Sequence, residues 1–119
     1  MQIQVLKSKL HKARVTDASV DYEGSMTIDI DLMNKIGLSP YEKILVGNMG
    51  NGQRFETYAI PGAAGSRAIE LNGATAHLGK KGDSLTVMAF ALIDQSEAKD
   101  WKPKVLVLDE KNAIKFDRT

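Results

Sequence analysis

The chain has 119 residues, with 16 basic and 15 acidic side chains, a net charge of +1 and 43% hydrophobic residues. This length favours one domain, which we expect to span residues 1–119. The balanced charge gives no electrostatic support for a nucleic-acid partner, and the absence of cysteine excludes disulfides, thiolate catalysis and cysteine metal sites.

The hydrophobic residues are dispersed along the chain. No apolar run approaches the roughly 20 residues that a membrane helix needs, so no membrane partner is expected. Lysines and a histidine interrupt the N-terminal segment before it could form the apolar stretch of a signal peptide. We therefore expect a cytoplasmic protein.

The first third of the chain predicts short strands and one short helix. Apolar residues alternate over residues 3–5 and again over residues 26–30, which is the period of a strand. Asp29 or Asp31 is predicted to cap a helix that ends at Gly37.

The middle of the chain predicts a hairpin. An Asn-Gly pair at 51–52 is a strong turn signal between a strand at 44–46 and a strand at about 54–60. Side chains alternate between the two faces of a strand, so Thr57 and Tyr58 need a twist or bulge to reach one site.

The last third predicts more strands and little helix. A helix with an Asp94–Glu97 capping box is expected over residues 94–101. The sequence predicts strands at 69–71, 84–93, 105–108 and 114–116. Many short strands with few helices favour a mainly β fold, a compact β-barrel.

One dipeptide offers unusual chemistry. In Tyr22-Glu23-Gly24-Ser25, the serine hydroxyl could attack the carbonyl of the glycine before it and form an ester. Elimination and hydrolysis would then leave a pyruvoyl ketone on the new N-terminus. Glycine at this place permits strained backbone angles and close approach. A Gly-Ser pair alone is weak, because most such pairs are turns.

Taken with the other motifs, this pair makes the chain resemble the pyruvoyl-dependent aspartate 1-decarboxylase family. The resemblance runs from about Val5 to Trp101, in matching order and spacing. It rests on Lys7-Ser8-Lys9-Leu10-His11, Tyr22-Glu23-Gly24-Ser25, Asn51 through Ile60, Gly65-Ser66-Arg67, Asn72-Gly73-Ala74, Gly82-Asp83 and Trp101-Lys102-Pro103.

The resemblance implies a fold, an assembly and an activity. The fold is a small double-psi β-barrel with a few short helices, and the assembly is a homotetramer. Cleavage between Gly24 and Ser25 gives a short chain, 1–24, and a long chain, 25–119. The cofactor is a pyruvoyl group derived from Ser25, with no metal and no pyridoxal phosphate. The substrate is L-aspartate, converted to β-alanine and carbon dioxide for pantothenate and coenzyme A synthesis. The ketone forms an imine with the substrate amine and accepts the electrons left by decarboxylation.

The resemblance also implies roles for residues of the central strand. Tyr58 matches the proton donor. Thr57 matches a substrate-binding position that also polarises the Gly24 carbonyl during cleavage. Arg54 and Lys9 are the substrate-binding cations, and we place Arg54 on the retained side-chain carboxylate, because a guanidinium binds a carboxylate in bidentate fashion.

Further positions complete the predicted site. Gly73, Ala74 and Thr75 match a substrate-contacting loop whose N–H groups can reach an anion. Asn72 either positions that loop or acts in processing. The residues expected to line the pocket are His11 and Tyr22.

Three positions depart from the family pattern, namely Met26, Gly47 and Thr75, and they bear on pocket shape and cleavage rate. Two alternatives stay open at this point. One is the same chemistry on another small acidic amino acid, such as glutamate. The other is a non-catalytic β-barrel that keeps Gly24-Ser25 intact and serves as a binding or assembly module.

Overall fold

The computed structural model describes all residues from 1 to 119, and most of its regular structure is strand. The strands are β1 (Gln2–Arg14), β2 (Asp17–Ser19), β3 (Ser25–Asp29), β4 (Lys43–Asn48), β5 (Arg54–Gly62), β6 (Ile69–Asn72), β7 (Ser84–Asp94), β8 (Lys104–Leu108) and β9 (Ile114–Arg118). The helices are α1 (Ile30–Ile36) and two 3₁₀ helices, Gly73–His77 and Gln95–Asp100. The prediction of a mainly β fold with a few short helices is confirmed, and the double-psi path stays a prediction.

The strands form one nine-stranded sheet in the order β2-β6-β3-β5-β4-β7-β1-β8-β9. Strand β3 lies inside the sheet, antiparallel to β6 and parallel to β5. The long strand β1 pairs with β7 over its whole length and with β8 over residues 8–11. The strand that begins with Ser25 is therefore held on both sides by main-chain hydrogen bonds.

The segment after β1 brings distant parts of the sheet together. Thr16 donates its N–H to the Ile69 carbonyl at 2.8 Å, and its Oγ1 accepts from the Ile69 N–H at 3.0 Å. The buried Asn112 donates its Nδ2 to the carbonyls of Arg14 and Arg67, at 2.9 and 3.0 Å. These bonds join strands that are far apart in the sheet order. The sheet consequently curls around one core, a cluster of 20 buried hydrophobic residues, as a small barrel does.

Helix α1 has the predicted ends. Asp29 is the N-cap, and its side chain accepts from the Asp31 N–H at 2.8 Å. The same carboxylate accepts from the N–H of Gly65 at 3.3 Å and of Arg67 at 2.7 Å. Gly37 ends the helix with a φ of 70°. Because Asp29 is also the last residue of β3, this cap fixes the far end of the strand that begins at Ser25.

Some local predictions are wrong. Residues 95–100 form a 3₁₀ helix, and Asp94 makes no side-chain cap, so the predicted capping box is absent. Ile30 begins α1 instead of continuing the strand, and β5 runs on to Gly62. The short strand β2 was not predicted at all, because three residues carry too little periodicity to be recognised. None of the helices is long and apolar enough to cross a lipid bilayer.

Candidate active site

Ser25 lies at a sharp boundary between exposed and buried chain. Residues 20–24 form an exposed turn, whereas Ser25 is only 1% exposed. The side chain of Tyr22 on this turn is largely exposed, at 60%. The Gly24-Ser25 peptide bond thus joins an accessible turn to a buried strand, with the hydroxyl on the buried side.

The Ser25 hydroxyl and carbonyl are held by side chains at and just after the end of β6. Asn72 donates its Nδ2 to Ser25 Oγ at 3.0 Å, and Ser25 Oγ lies 3.4 Å from the Glu23 carbonyl, to which it donates. Thr75 Oγ1 is shared between the carbonyls of Ser25, at 3.3 Å, and Asn72, at 2.8 Å. A hydroxyl oxygen has two lone pairs, so acceptance from Asn72 leaves one for attack on a carbonyl.

Gly73 brings the predicted substrate loop against the turn that precedes Ser25. It has a φ of 65°, and a Cβ built on it would lie 2.8 Å from Gly24 Cα, Gly24 N and the Tyr22 carbonyl oxygen. A side chain at this position would therefore have to displace that backbone. Ala74 is exposed and Thr75 is buried. In the uncleaved chain, the loop is therefore covered at Gly73 by the backbone of residues 22–24.

Thr57 and Tyr58 lie on opposite faces of β5. The β4–β5 register is unbroken from Arg54 to Tyr58, so the twist or bulge that would join the two side chains is absent. In the parallel β3–β5 pair, Met26 lies opposite Ala59, and extending that register by two residues puts Thr57 beside Gly24. The half-buried Thr57 forms no side-chain hydrogen bond with Gly24 or Ser25. The Tyr58 ring is 36% exposed.

The predicted cations stand outside the Ser25 hydrogen-bond network. Arg54 is exposed, and its Nη1 lies 3.5 Å from the place where a Cβ on Gly47 would be. Lys9 and His11 occupy alternate positions on β1 and are both half-buried. Burial, with the charges of Lys9 and Lys12, lowers the pKa of His11 below its usual value. His11 is therefore neutral at pH 7, and its buried Nδ1 has no hydrogen-bond partner.

A second polar cluster, not predicted from the sequence, anchors the end of the predicted substrate loop. Asn48 is buried and donates its Nδ2 to the Leu78 carbonyl at 3.1 Å and to Asp83 Oδ2 at 2.9 Å. Asn51 donates to the same Leu78 carbonyl at 3.1 Å. The Asn48 amide and the Lys80 N–H lower the pKa of Asp83. The cluster ties the 3₁₀ helix that begins at Gly73 to the hairpin that leads to Arg54.

Comparison with known proteins decides the family. The family model described as aspartate decarboxylase matches residues 1–115. A protein of Coprothermobacter proteolyticus named aspartate 1-decarboxylase is 53% identical over 115 residues, which is 97% of this chain and 94% of that protein. Relatives of the same name from Desulfotalea psychrophila and Thermosipho africanus are each 50% identical, covering 94% and 96% of this chain and 94% and 93% of their own lengths.

The chain belongs to the aspartate decarboxylase family. Among the predicted site residues of this family member, the structure brings together Gly24, Ser25, Asn72, Gly73 and Thr75. Tyr22 and Ala74 adjoin this group along the chain. No side-chain hydrogen bond joins this group to Lys9, His11, Arg54, Thr57 or Tyr58.

Two residues that contact the predicted site or its loop were missed because their partners lie far away in the chain. Thr27 accepts a hydrogen bond from the Asn72 side chain at 2.9 Å. Asp83 entered the sequence analysis only as part of the Gly82-Asp83 motif, without a role of its own. The signal for Thr27 was present in the sequence, since a residue two places after Ser25 on a strand lies on the same face. No three His, Asp or Glu side chains are grouped closely enough to bind a metal ion.

The contact at Gly73 predicts the effect of a single methyl group. Gly73→Ala should slow cleavage at Gly24-Ser25 at least about tenfold, because the added Cβ displaces the backbone of residues 22–24. Gly52→Ala is the matched control: its φ is 76°, but nothing lies within 4 Å of an added Cβ. Both variants lose about 1 kcal/mol to the left-handed backbone, measured by thermal unfolding. Equal cleavage rates in the two variants, followed by intact-protein mass, would contradict this account.

Proposed function

We propose that this chain is a pyruvoyl-dependent aspartate 1-decarboxylase that converts L-aspartate to β-alanine and carbon dioxide for pantothenate synthesis. The observation that carries the proposal is the buried Ser25 hydroxyl, preceded by Gly24 and held by Asn72, in a chain of this family. A cytoplasmic location belongs to the proposal, since free aspartate is available there, and cell fractionation tests it.

Self-cleavage is the first step that these residues support. Ser25 Oγ attacks the Gly24 carbonyl carbon, the peptide C–N bond breaks and an ester forms. Loss of the Ser25 Cα proton then expels the Gly24 carboxylate, and water converts the dehydroalanine that remains into a ketone, releasing ammonia. Thr57 lies beside Gly24 when the β3–β5 register is continued by two residues, and in this mechanism it polarises the Gly24 carbonyl. The products are the chains 1–24 and 25–119.

The surroundings of Ser25 fit a pyruvoyl group. Position 25 is buried, and the Asn72 amide and the Thr75 hydroxyl are donors within reach of its oxygen atoms. Such a ketone supplies an electron sink for the carbanion left by decarboxylation, in place of pyridoxal phosphate. The pairing of β3 with β5 and β6 supports this role, because it holds the residues that follow position 25 in register.

The substrate is bound by the remaining site residues. Arg54 binds the retained side-chain carboxylate through its planar guanidinium, and Lys9 supplies a second positive charge. An enzyme should not over-stabilise the carboxylate that it expels, so the stronger ligand belongs on the carboxylate that stays. Tyr58 returns a proton from its phenol oxygen to the α-carbon.

The loop and the pocket wall complete the proposed site. The N–H groups of Gly73 and Ala74, with the Thr75 hydroxyl, face the substrate once cleavage releases residue 24 from its contact with Gly73. Neutral His11 lines the pocket without adding charge. Tyr22, exposed on the turn before Gly24, is the second residue proposed to line the pocket.

Mass and carbonyl chemistry test the proposal directly. Purified protein should give two chains, 1–24 and 25–119, and the longer should react with phenylhydrazine and lack a free amine. It should release carbon dioxide from aspartate much faster than from glutamate. Ser25→Ala should remain one chain without activity, because it has no nucleophile. Wild-type protein that stays as one 13.0 kDa species would indicate the binding module, and equal rates on the two acids would defeat the aspartate assignment.

Replacing Arg54 should weaken substrate binding. Arg54→Ala loses a charge-assisted hydrogen-bonding group, so kcat/KM should fall at least about tenfold. Arg118→Ala, a change of another exposed arginine at the end of β9, is the control and should leave kcat/KM unchanged. Rates are normalised to the phenylhydrazine-reactive fraction, so that slow maturation is not counted as poor catalysis. Arg54→Ala kinetics within twofold of the wild type would remove Arg54 from the site.

A homotetramer is the proposed assembly. Large apolar side chains stand exposed on the outer surface, among them Tyr41, Tyr58, Phe90 and Leu92. Apolar surface of this kind marks interaction sites in soluble proteins. Light scattering should give four times the 13.0 kDa chain mass, and the mass of a monomer would contradict the tetramer.

A further inference from the structure

The Asn72 side chain is held between two hydroxyl groups of β3. Its Nδ2 lies 3.0 Å from Ser25 Oγ and 2.9 Å from Thr27 Oγ1. A carboxamide nitrogen carries two N–H groups, so each hydroxyl accepts one of them. Asn72 is only 6% exposed, and water has little access to replace a lost acceptor.

The position of Thr27 follows from the strand geometry. Residues two apart on a strand face the same way, so Thr27 and Ser25 lie side by side. In the antiparallel β3–β6 pair, Asn72 is directly opposite Ser25, and Thr27 is opposite Glu70. The Asn72 side chain can therefore reach both hydroxyls from the neighbouring strand.

The rotamer of Thr27 is also restricted. A Cβ built on Gly62 would lie 3.0 Å from Thr27 Cγ2, so the absence of a side chain at position 62 leaves room for the threonine methyl. A β-branched side chain has few χ1 states. With the methyl group placed against Gly62, the hydroxyl is directed toward Asn72.

These contacts have a consequence for the nucleophile. If Thr27 Oγ1 were missing, one N–H of a buried amide would lose its partner, and the amide would turn to recover it. The donor to Ser25 Oγ would then move, and the hydroxyl would lose the bond that sets its direction toward the Gly24 carbonyl.

We propose that Thr27 is a positioning residue for self-cleavage: its hydroxyl fixes the Asn72 amide, and the amide orients Ser25 Oγ for attack. Thr27 does not touch the reacting atoms and acts through Asn72 alone. The inference rests on the proposed self-cleavage of this chain.

Substitutions at position 27 separate the effect of the threonine hydroxyl on the cleavage rate from the effect of its methyl group. Thr27→Val keeps the branched shape and removes the acceptor, so the first-order cleavage rate of freshly purified precursor, followed by intact mass, should fall about tenfold. Thr27→Ser keeps the acceptor and should cleave within about threefold of the wild type. A Thr27→Ser precursor as slow as Thr27→Val would assign the effect to packing and overturn the proposal, as would a Thr27→Val precursor at the wild-type rate.

A double-mutant cycle tests the route through Asn72. In an Asn72→Ala background, Thr27→Val should change the cleavage rate less than about twofold, because the amide that it orients is gone. The same tenfold loss in both backgrounds would show that Thr27 acts independently of Asn72 and would refute the inference. If Thr27→Val does not fold, judged by thermal unfolding in a Ser25→Ala background, Thr27→Ala against Thr27→Ser gives the same hydroxyl contrast.

The failure of this inference differs from the failure of the proposed function. A wild-type precursor that never cleaves defeats the proposed function. A wild-type precursor that cleaves, alongside a Thr27→Val precursor that cleaves equally fast, defeats only the role of Thr27.

Discussion

The hydrogen bond from Asn72 to Ser25 Oγ is the interaction on which the site depends. It is buried, and it crosses from β6 to β3 at the residue pair where the exposed turn becomes a strand. The barrel makes it possible by holding β3 on both sides, with β5 parallel and β6 antiparallel. Asp29 then fixes the other end of β3 by capping α1 and accepting from the loop at Gly65 and Arg67. Because both ends and both edges of this short strand are fixed, the backbone that carries the Ser25 hydroxyl is held in position.

The close approach of Gly73 to the turn before Ser25 imposes a second constraint. The two segments touch backbone to backbone, so a side chain on Gly73 would displace residues 22–24, whereas a Cβ added to Gly24 would meet nothing within 4 Å. The loop that we propose for substrate binding is the same loop that supports the uncleaved turn. In the proposed mechanism, cleavage and access to this loop are therefore coupled, because the backbone that leads into the cleaved bond also covers Gly73.

Local signals in the sequence were sufficient for much of the fold. Asp29 and Gly37 define α1 by short-range capping, and alternation separates the exposed Arg54 from the half-buried Thr57 on β5. The rest depends on contacts between residues that are far apart in the chain. Thr27 and Asn72 are 45 positions apart, and no local pattern records that they meet. The short strand β2 likewise exists only because β6 lies beside it. The order and spacing of the motifs indicated the family, but they did not reveal that Thr27 is a second acceptor for the Asn72 amide.

The two parts of the proposed chemistry, self-cleavage and decarboxylation, use residues that differ in their exposure to water. The groups that hold Ser25 are buried within one chain, so the proposed cleavage uses no group from a second copy. Arg54 and Tyr58 instead stand on the exposed face of β5, where water screens a charge and competes for a proton. Binding a carboxylate and delivering a proton are both stronger where water is excluded. The exposed apolar side chains near Tyr58, including Tyr41 at a ring distance of 6.4 Å, form a surface that a second copy of the chain could cover. On this argument, the proposed self-cleavage needs only the single barrel, whereas efficient decarboxylation needs the proposed assembly.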